Sequence, residues 1–275
     1  ILSQGKAEPV VRRGRMLGEE LNKDRDTLAE KWEPKIASYF TRLQNRIDGI
    51  IGRNLSRETE ETKQQPFPFQ MSDLVPDSEL GNLSELLYQM FVDVTKRTYG
   101  IIDESAIAGK VEWAEANPVV SSVLTTAPVQ AKMIHSTTQK HVKHMLDVAF
   151  ERGYSIEMLA RGVPKDNFAG IQSLIVESRK RARLIARTEI MRTQNLTSCN
   201  LFKRQGFEYV RAYDVDGDPH DNYVPAGDPY GRTCIQRDGQ VYTVQDAYNI
   251  QDHPNGTLSW VPMPRNYVPQ EGVAV

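Results

Sequence analysis

One short segment carries four side chains that could together bind a metal ion: Asp214, Asp216, Asp218 and His220. A calcium loop of the EF-hand kind needs a glycine at its sixth position and a glutamate at its twelfth. Counted from Asp214, the glycine comes fourth and the twelfth residue is Pro225, so that loop is excluded. The residue types favour a turn, because Asp caps local backbone amides and Gly accepts positive φ. A looser carboxylate site for a divalent cation, serving a metal-dependent nuclease, stays open as the alternative.

Cysteine and histidine offer a second kind of chemistry. Cys234 would have a partner for nucleophilic catalysis only if folding brought it next to His220 or His253. His141 and His144 lie three residues apart, but the HExxH arrangement of zinc proteases is missing. The chain also lacks the phosphate-binding GxxxxGK[ST] loop and the GxSxG nucleophile elbow. The sequence therefore predicts a protein that is not an enzyme and that needs no metal or cofactor.

A third feature is a stripe of positive charge. Arg179, Arg183 and Arg187 recur every four residues, which places them on one face of a helix. Such a stripe could follow the phosphates of DNA without sequence preference. No aromatic residues alternate with the arginines as stacking platforms. The pattern therefore favours a solvated helix face with salt bridges, and contact with DNA stays open.

Composition excludes several classes of protein. The chain has 275 residues, 34 Lys and Arg against 36 Asp and Glu, and a net charge of −2, so a DNA-condensing protein is excluded. No stretch approaches the roughly 20 apolar residues of a membrane span. The mixed, basic start does not resemble a secretory signal. Two cysteines are too few for a disulfide scaffold and favour buried, reduced thiols.

Apolar spacing predicts helices through the first two thirds of the chain. Their expected ranges are 16–34 with an end at Pro34, 36–51, 77–99 with Gly100 after it, 129–152, and 172–205 with a break near Arg181. A polar segment at 54–71 is predicted to be a linker or long loop.

After Gly206 the pattern changes to short strands. Alternation predicts strands at 207–213, 240–243 and 260–263, and a capping box at Thr243 and Asp246 predicts a helix at 244–249. The fold class is therefore mainly α with a small C-terminal α+β unit, a helical body followed by a long helix packed on a short β-sheet. The residues expected to share its core are Ile185, Ala186, Ile190, Phe207, Tyr209, Tyr242 and Trp260.

Four segments, in order, resemble a known family. The helix from Arg181 to Arg192 resembles the R-A-x-x-I-A-R-T-E-x-x-R helix of the phage Mu F-like minor head proteins, also called head morphogenesis proteins. Downstream come a cysteine turn at Cys234, an Asp238-Gly239 turn and a His253-Pro254 pair. The motif positions that the resemblance assigns to this chain are Arg187, Thr188, Glu189, Arg192, Cys234, Asp238, Gly239, His253 and Pro254.

The resemblance implies a structural component of a tailed bacteriophage virion, assembled in the host cytoplasm. Its partners would be the portal protein, capsid proteins and, without specificity, packaged DNA. It implies a Mu F-like α+β domain at 166–275 and leaves 1–165 as a helical region that docks on the portal or capsid. Because this domain is also found fused to portal proteins, the chain would fit the end of such a fusion.

This chain departs from the family at two places. Many members have further cysteines, where this chain has Ile235-Gln236 and the segment 255–257. The departure favours an architectural role for the motif over a metal or disulfide role. Within that motif we expect Arg187 or Glu189 to pair with the Asp238-Gly239 turn or the His253 region, since buried charges need partners.

Overall fold

A computed structural model describes residues 4–55, 67–105, 107, 110, 112–214, 222–254 and 256–269. For residues 4–11 and 174–179 the structure describes the helical backbone but not the side chains. The fold is mainly helical with a three-stranded antiparallel sheet near the C-terminus, which confirms the predicted fold class. None of the helices that the structure describes combines the length and apolar character that crossing a membrane demands.

The α-helices among the described residues are numbered in chain order. Their bounds are α1 Gln4–Leu55, α2 Met71–Leu74, α3 Ser78–Glu104, α4 Pro118–Leu124, α5 Ala127–Glu151, α6 Ile156–Arg161, α7 Ser173–Arg204, α8 Cys234–Arg237 and α9 Val244–Asn249. The predicted helix at 129–152 is confirmed by α5 and the one at 244–249 by α9. Most of the predicted polar linker, 56–66, lies outside the described residues.

Three predicted interruptions are wrong, because the helices continue through them. Helix α1 passes Pro34, α3 passes Gly100, and α7 has no break at Arg181. A proline inside a helix costs about 3 kcal/mol. Trp32 and Ile36 on either side of Pro34 are buried, and each such side chain contributes about 1.5–3 kcal/mol. Burial against distant parts of the chain therefore outweighs the local signal to stop.

The sheet has the strand order β2-β1-β3, with bounds β1 Tyr209–Tyr213, β2 Val241–Thr243 and β3 Ser259–Pro262. Both neighbours of β1 are antiparallel to it, and the register pairs Val210 with Tyr242 and Ala212 with Trp260. These four side chains are buried, and the Tyr242 and Trp260 rings meet edge-on with centroids 5.3 Å apart. All three predicted strands are confirmed, each within two residues at its ends.

Five members of the predicted core set are buried: Ala186, Ile190, Phe207, Tyr242 and Trp260. Contact between the Tyr242 and Trp260 rings is confirmed, and the packing of α7 on the sheet stays a prediction. Ile185 and Tyr209 are partly exposed, and the Tyr209 ring lies against Tyr267, 5.5 Å between centroids.

The chain forms two compact units. Unit 1 comprises 1–32, 89–125 and 184–275, and unit 2 comprises 33–88 and 126–183. Helices α1, α3 and α7 each give residues to both units. Each unit thus draws on more than one stretch of the chain, and the boundary expected near residue 165 stays a prediction.

Unit 2 is a helical assembly that buries a tyrosine–histidine pair. Tyr39 of α1 and His135 of α5 are both buried, and the tyrosine hydroxyl lies 3.3 Å from His135 Nδ1. Arg181 of α7 stacks over the Phe40 ring at 4.9 Å and donates to the Ile134 carbonyl at 3.3 Å. The polar ends of these side chains are therefore paired inside an apolar helix packing.

Helix α1 approaches the sheet of unit 1 closely at Gly18. A Cβ at this position would lie 2.5 Å from Cδ1 and 2.7 Å from Cγ of Tyr213. Substitution Gly18→Ala is expected to lower the free energy of unfolding by about 1–3 kcal/mol, because the ring must shift to admit the methyl group.

The matched control for Gly18→Ala is Gly100→Ala on α3, where nothing lies within 4 Å of the added Cβ. Removal of a helical glycine there should raise the free energy of unfolding by up to about 1 kcal/mol. Urea denaturation of both variants measures the difference. Equal stabilisation by the two substitutions would show that α1 does not contact Tyr213 this closely.

Candidate functional site

Four charged side chains meet inside unit 1, and we call them the charge cluster: Arg25, Asp214, Arg237 and Asp252. Arg237 Nη2 donates to Asp214 Oδ2 at 2.7 Å and to Asp252 Oδ1 at 2.8 Å. The two arginines are at most 2% exposed and the two aspartates 9%. Two positive and two negative charges balance one another, as buried charges must.

Local structure holds Arg237 in this position. Arg237 ends the short helix α8, which a capping box opens: Thr233 Oγ1 accepts from Gln236 N, and Gln236 Oε1 accepts from Thr233 N. The turn that follows needs Gly239, whose φ is +76°. Asp238 fixes the turn on the end of β1, because its Oδ1 accepts from Asp214 N at 2.9 Å.

Burial and charge act in opposite directions on the cluster. Burial lowers the pKa of Arg237, but the attraction of Asp252 and Asp214 outweighs it and the pKa is raised. Burial and the nearby Asp252 raise the pKa of Asp214, although Arg237 and the Thr257 hydroxyl oppose this. Burial lowers the pKa of Arg25 to about 10 against the attraction of both aspartates. The attraction between Arg237 and the two aspartates therefore offsets part of the cost of burying these charges.

Arg25 joins three parts of unit 1. Its Nε donates to Gln194 of α7, and its Nη2 donates to the Leu258 carbonyl and to Ser259 Oγ at the start of β3, all within 3.0–3.2 Å. Asn195, beside Gln194, donates to the same Leu258 carbonyl at 3.0 Å. The helix motif and the segment before β3 are thus linked through one buried guanidinium.

Arg25 was not identified from the sequence as part of a site, although the residues around it indicate that it is buried. Leu21, Arg25, Leu28 and Trp32 follow helical spacing, so the arginine occupies a place in an apolar stripe. A charged residue on such a face must find a partner inside the protein.

The cysteine and histidine of the motif lie beside the charge cluster. Ligand atoms of Cys234, Asp252 and His253 all lie within 4.8 Å of one another, and all three residues are buried. The Cys234 Sγ is 3.9 Å from Asp252 Oδ1 and 3.5 Å from the Tyr223 carbonyl oxygen. Of the two histidines that the sequence left open as partners of Cys234, His253 lies beside it, and His220 lies outside the described residues. Because each is only 3% exposed, the pair favours a structural or metal-binding role over attack on a substrate.

Gly256 allows this arrangement. A Cβ at Gly256 would lie 2.0 Å from Asp252 Oδ2, and the Gly256 N–H donates to the His253 carbonyl in a tight turn. A larger residue there would displace the Asp252 carboxylate from Arg237.

The other predicted site residues have separate surroundings. Arg187 is paired with Asp26 of α1 at 2.7 Å, and Glu189 lies 3.5 Å from Arg192. The expectation that Arg187 or Glu189 binds the Asp238-Gly239 turn or the His253 region is therefore wrong. Arg237, inside the turn segment itself, supplies the buried charge instead.

The predicted DNA stripe stays a prediction. Arg183 is exposed, whereas Arg187 is partly buried in its ion pair with Asp26. The side chain of Arg179 lies outside the described residues, as do Asp216, Asp218 and His220 of the predicted metal segment.

Comparison with known proteins adds no relative. No family model matches the chain, and neither a curated protein nor a solved structure is significantly similar to it. Function must therefore be argued from the residues and their geometry.

Glu189 of the helix motif is a buried carboxylate whose negative charge is little compensated by hydrogen bonds or by positive charge. It is 6% exposed, and among the described residues its Oε2 has no hydrogen-bond partner. Burial raises its pKa above the ordinary 4.5, although Arg192 opposes this. In the folded protein it therefore holds its proton to higher pH than in the unfolded chain.

Stability should consequently fall as pH rises from about 4.5 through the raised folded pKa of Glu189. Glu189→Gln removes the cost of ionisation and should raise the free energy of unfolding at pH 7 by about 1 kcal/mol. This difference in unfolding free energy between Glu189→Gln and the parent should vanish near pH 4, where Glu189 is mostly protonated in both the folded and the unfolded protein. Urea denaturation at both pH values measures it. A variant less stable than the parent at pH 7 would mean that the ionised carboxylate is stabilised in the fold.

Proposed function

We propose that the chain is a structural minor head protein of a tailed bacteriophage that binds at the portal vertex and takes part in head morphogenesis. The observation that carries the proposal is that the three motif segments downstream of α7 meet at the buried charge cluster: Cys234 lies against Asp252, Asp238 accepts from Asp214 N, and His253 follows Asp252 in the chain. Gln194 and Asn195, which come directly after the helix motif, are linked to this cluster through Arg25 and the Leu258 carbonyl. Residues that hold a fold together in this way support an architectural role for the motif.

Asp214 has a structural task in the charge cluster. Its Oδ2 accepts from Arg237 at 2.7 Å and its Oδ1 accepts from the Thr257 hydroxyl at 2.6 Å. The residue thus links the end of β1 to α8 and to the segment before β3, which supports an architectural role. Of the rival nuclease set, the described residues contain Asp214 alone.

The helical region offers a surface for the proposed docking. Val129 and Met133 lie one turn apart on α5, and each is 57% exposed. Contiguous exposed apolar patches mark protein contact sites, and these two neighbouring side chains would form part of one. We propose that this face of α5 contacts the portal or the capsid.

The test is assembly of phage heads with the full chain. A phage lacking the gene for this chain is complemented with a tagged copy, and purified heads are imaged with the tag located by antibody. We expect the tag at the portal vertex and a loss of infectious particles without the chain. Absence of the chain from heads, or an unchanged titre without it, would overturn the proposal. Chelator-sensitive cleavage of DNA by the purified chain would favour the nuclease.

A matched pair of surface variants tests the contact face. The double variant Val129→Ser and Met133→Ser should fold normally and sediment with heads less than the parent. The control, Lys132→Ser and Lys140→Ser, changes two exposed polar residues of the same helix. Equal loss from both pairs would show that the apolar face is not the contact.

A further inference from the structure

We propose that Cys234, Asp252 and His253 form a Zn²⁺ site that links α8 to the segment before β3. The proposal rests on the packing of unit 1 alone and is independent of the proposed function. A thiolate, an imidazole and a carboxylate are the three side chains that bind zinc in proteins. Their ligand atoms lie within 4.8 Å of one another, close enough that small side-chain rotations would bring all three to one ion.

The surroundings of His253 suit a metal ligand. Its Nδ1 lies 3.0 Å from the Pro254 carbonyl oxygen, which can only accept a hydrogen bond. When the ring is neutral, a hydrogen bond to this carbonyl places the proton on Nδ1 and the lone pair on Nε2. Histidines that bind metals nearly always donate their other ring N–H to a carbonyl or carboxylate in this way.

The surroundings of Asp252 suit the same role. Arg237 Nη2 donates to Oδ1 at 2.8 Å, and the Leu258 N–H donates to Oδ2 at 3.3 Å. Each carboxylate oxygen has two lone pairs, so one remains on Oδ1 on the side where Cys234 Sγ lies 3.9 Å away. Carboxylates that bind metals are held by such outer hydrogen bonds. Arg237 then acts as a positioning residue for the ligand.

The second cysteine provides an internal comparison. Cys199 on α7 is as buried as Cys234, and burial raises the pKa of its thiol. Among the described residues, the group of potential metal ligands contains Cys234 and not Cys199. If a thiolate of this protein binds metal, comparison of variants at the two cysteines can therefore assign it to Cys234.

Zinc on three protein ligands keeps a fourth position for water. Because the ligands are buried, the ion would bind as the unit folds, and its binding would add to the stability of the folded state. Binding would also release the proton of the Cys234 thiol.

The experiment uses the full chain refolded with Zn²⁺ or Co²⁺ and then freed of loose metal by gel filtration. We expect one ion per chain by elemental analysis and a thiolate-to-cobalt charge-transfer band with Co²⁺. The band should persist in Cys199→Ala and disappear in Cys234→Ser. Excess Zn²⁺ should raise the melting temperature of the parent and of Cys199→Ala, but not that of Cys234→Ser.

Two results would overturn the site. One is a parent protein that keeps no metal or shows no thiolate band; this is measured without any variant and so does not depend on whether Cys234→Ser folds. The other is loss of the band in Cys199→Ala with retention in Cys234→Ser. Metal held by surface histidines such as His141 and His144 would give no thiolate band, and counts against the proposal.

Discussion

Replacement of Arg237 by methionine is expected to lower the free energy of unfolding by about 3–5 kcal/mol. Methionine fills much of the same space but leaves Asp214 and Asp252 without the guanidinium that both carboxylates contact. Arg237 is fully buried, so water cannot take over its role. Uncompensated buried charges of this kind cause the largest losses seen for ion pairs. Urea denaturation followed by circular dichroism measures the change.

Arg15→Met is the matched control for Arg237→Met in the same unit. Arg15 forms an exposed pair with Glu19 at 3.2 Å, one turn away on α1. Exposed pairs of this kind contribute little to stability, because water screens their attraction. Adding Asp214→Asn and Asp252→Asn to Arg237→Met should recover part of the loss, because the unpaired charges are then removed. If Arg237→Met and Arg15→Met are equally stable, the charge cluster does not stabilise the fold.

Trp260→Ala is expected to cost about 3–5 kcal/mol of unfolding free energy. Trp260 is fully buried in β3, opposite Ala212 of β1, with its ring edge-on to Tyr242. Truncation removes this contact and leaves a cavity at the centre of the small sheet. The same denaturation measurement gives the loss.

The variant Trp260→Phe tests the contribution of the aromatic ring to stability separately from that of the indole N–H. Among the described residues, Trp260 Nε1 is buried without a hydrogen-bond partner. Phenylalanine keeps an aromatic ring against Tyr242 and removes this unsatisfied N–H, which offsets part of the lost volume. We expect Trp260→Phe to lose clearly less stability than Trp260→Ala. Equal losses would mean that the ring contact contributes little to the sheet.

Much of the secondary structure was predictable, because its signals are local. Helical spacing of apolar residues predicted α5 and most of α1, α3 and α7, and alternation predicted the three strands. The Thr243 capping box predicted α9, and Thr243 Oγ1 does accept from Asp246 N at 3.0 Å. Such patterns repeat within a few residues and need no knowledge of the rest of the chain.

The continuation of α1 past Pro34 and of α3 past Gly100 could not be predicted in this way. Both residues favour a stop by about 1–3 kcal/mol. That preference is smaller than the free energy from burying neighbours such as Ile36 and Ile102 against side chains far along the chain.

The candidate site likewise combines features that local sequence predicts with features that only long-range packing decides. Sequence alone determined the residue types of the four motif segments, their order and the turn at Gly239. It did not reveal that Arg237 binds Asp214 and Asp252, or that Arg25 reaches the Leu258 carbonyl across 233 positions of the chain. Tertiary structure decided these pairings, because a buried charge selects its partner by proximity in the folded core, and that proximity is set by the packing of every element around it.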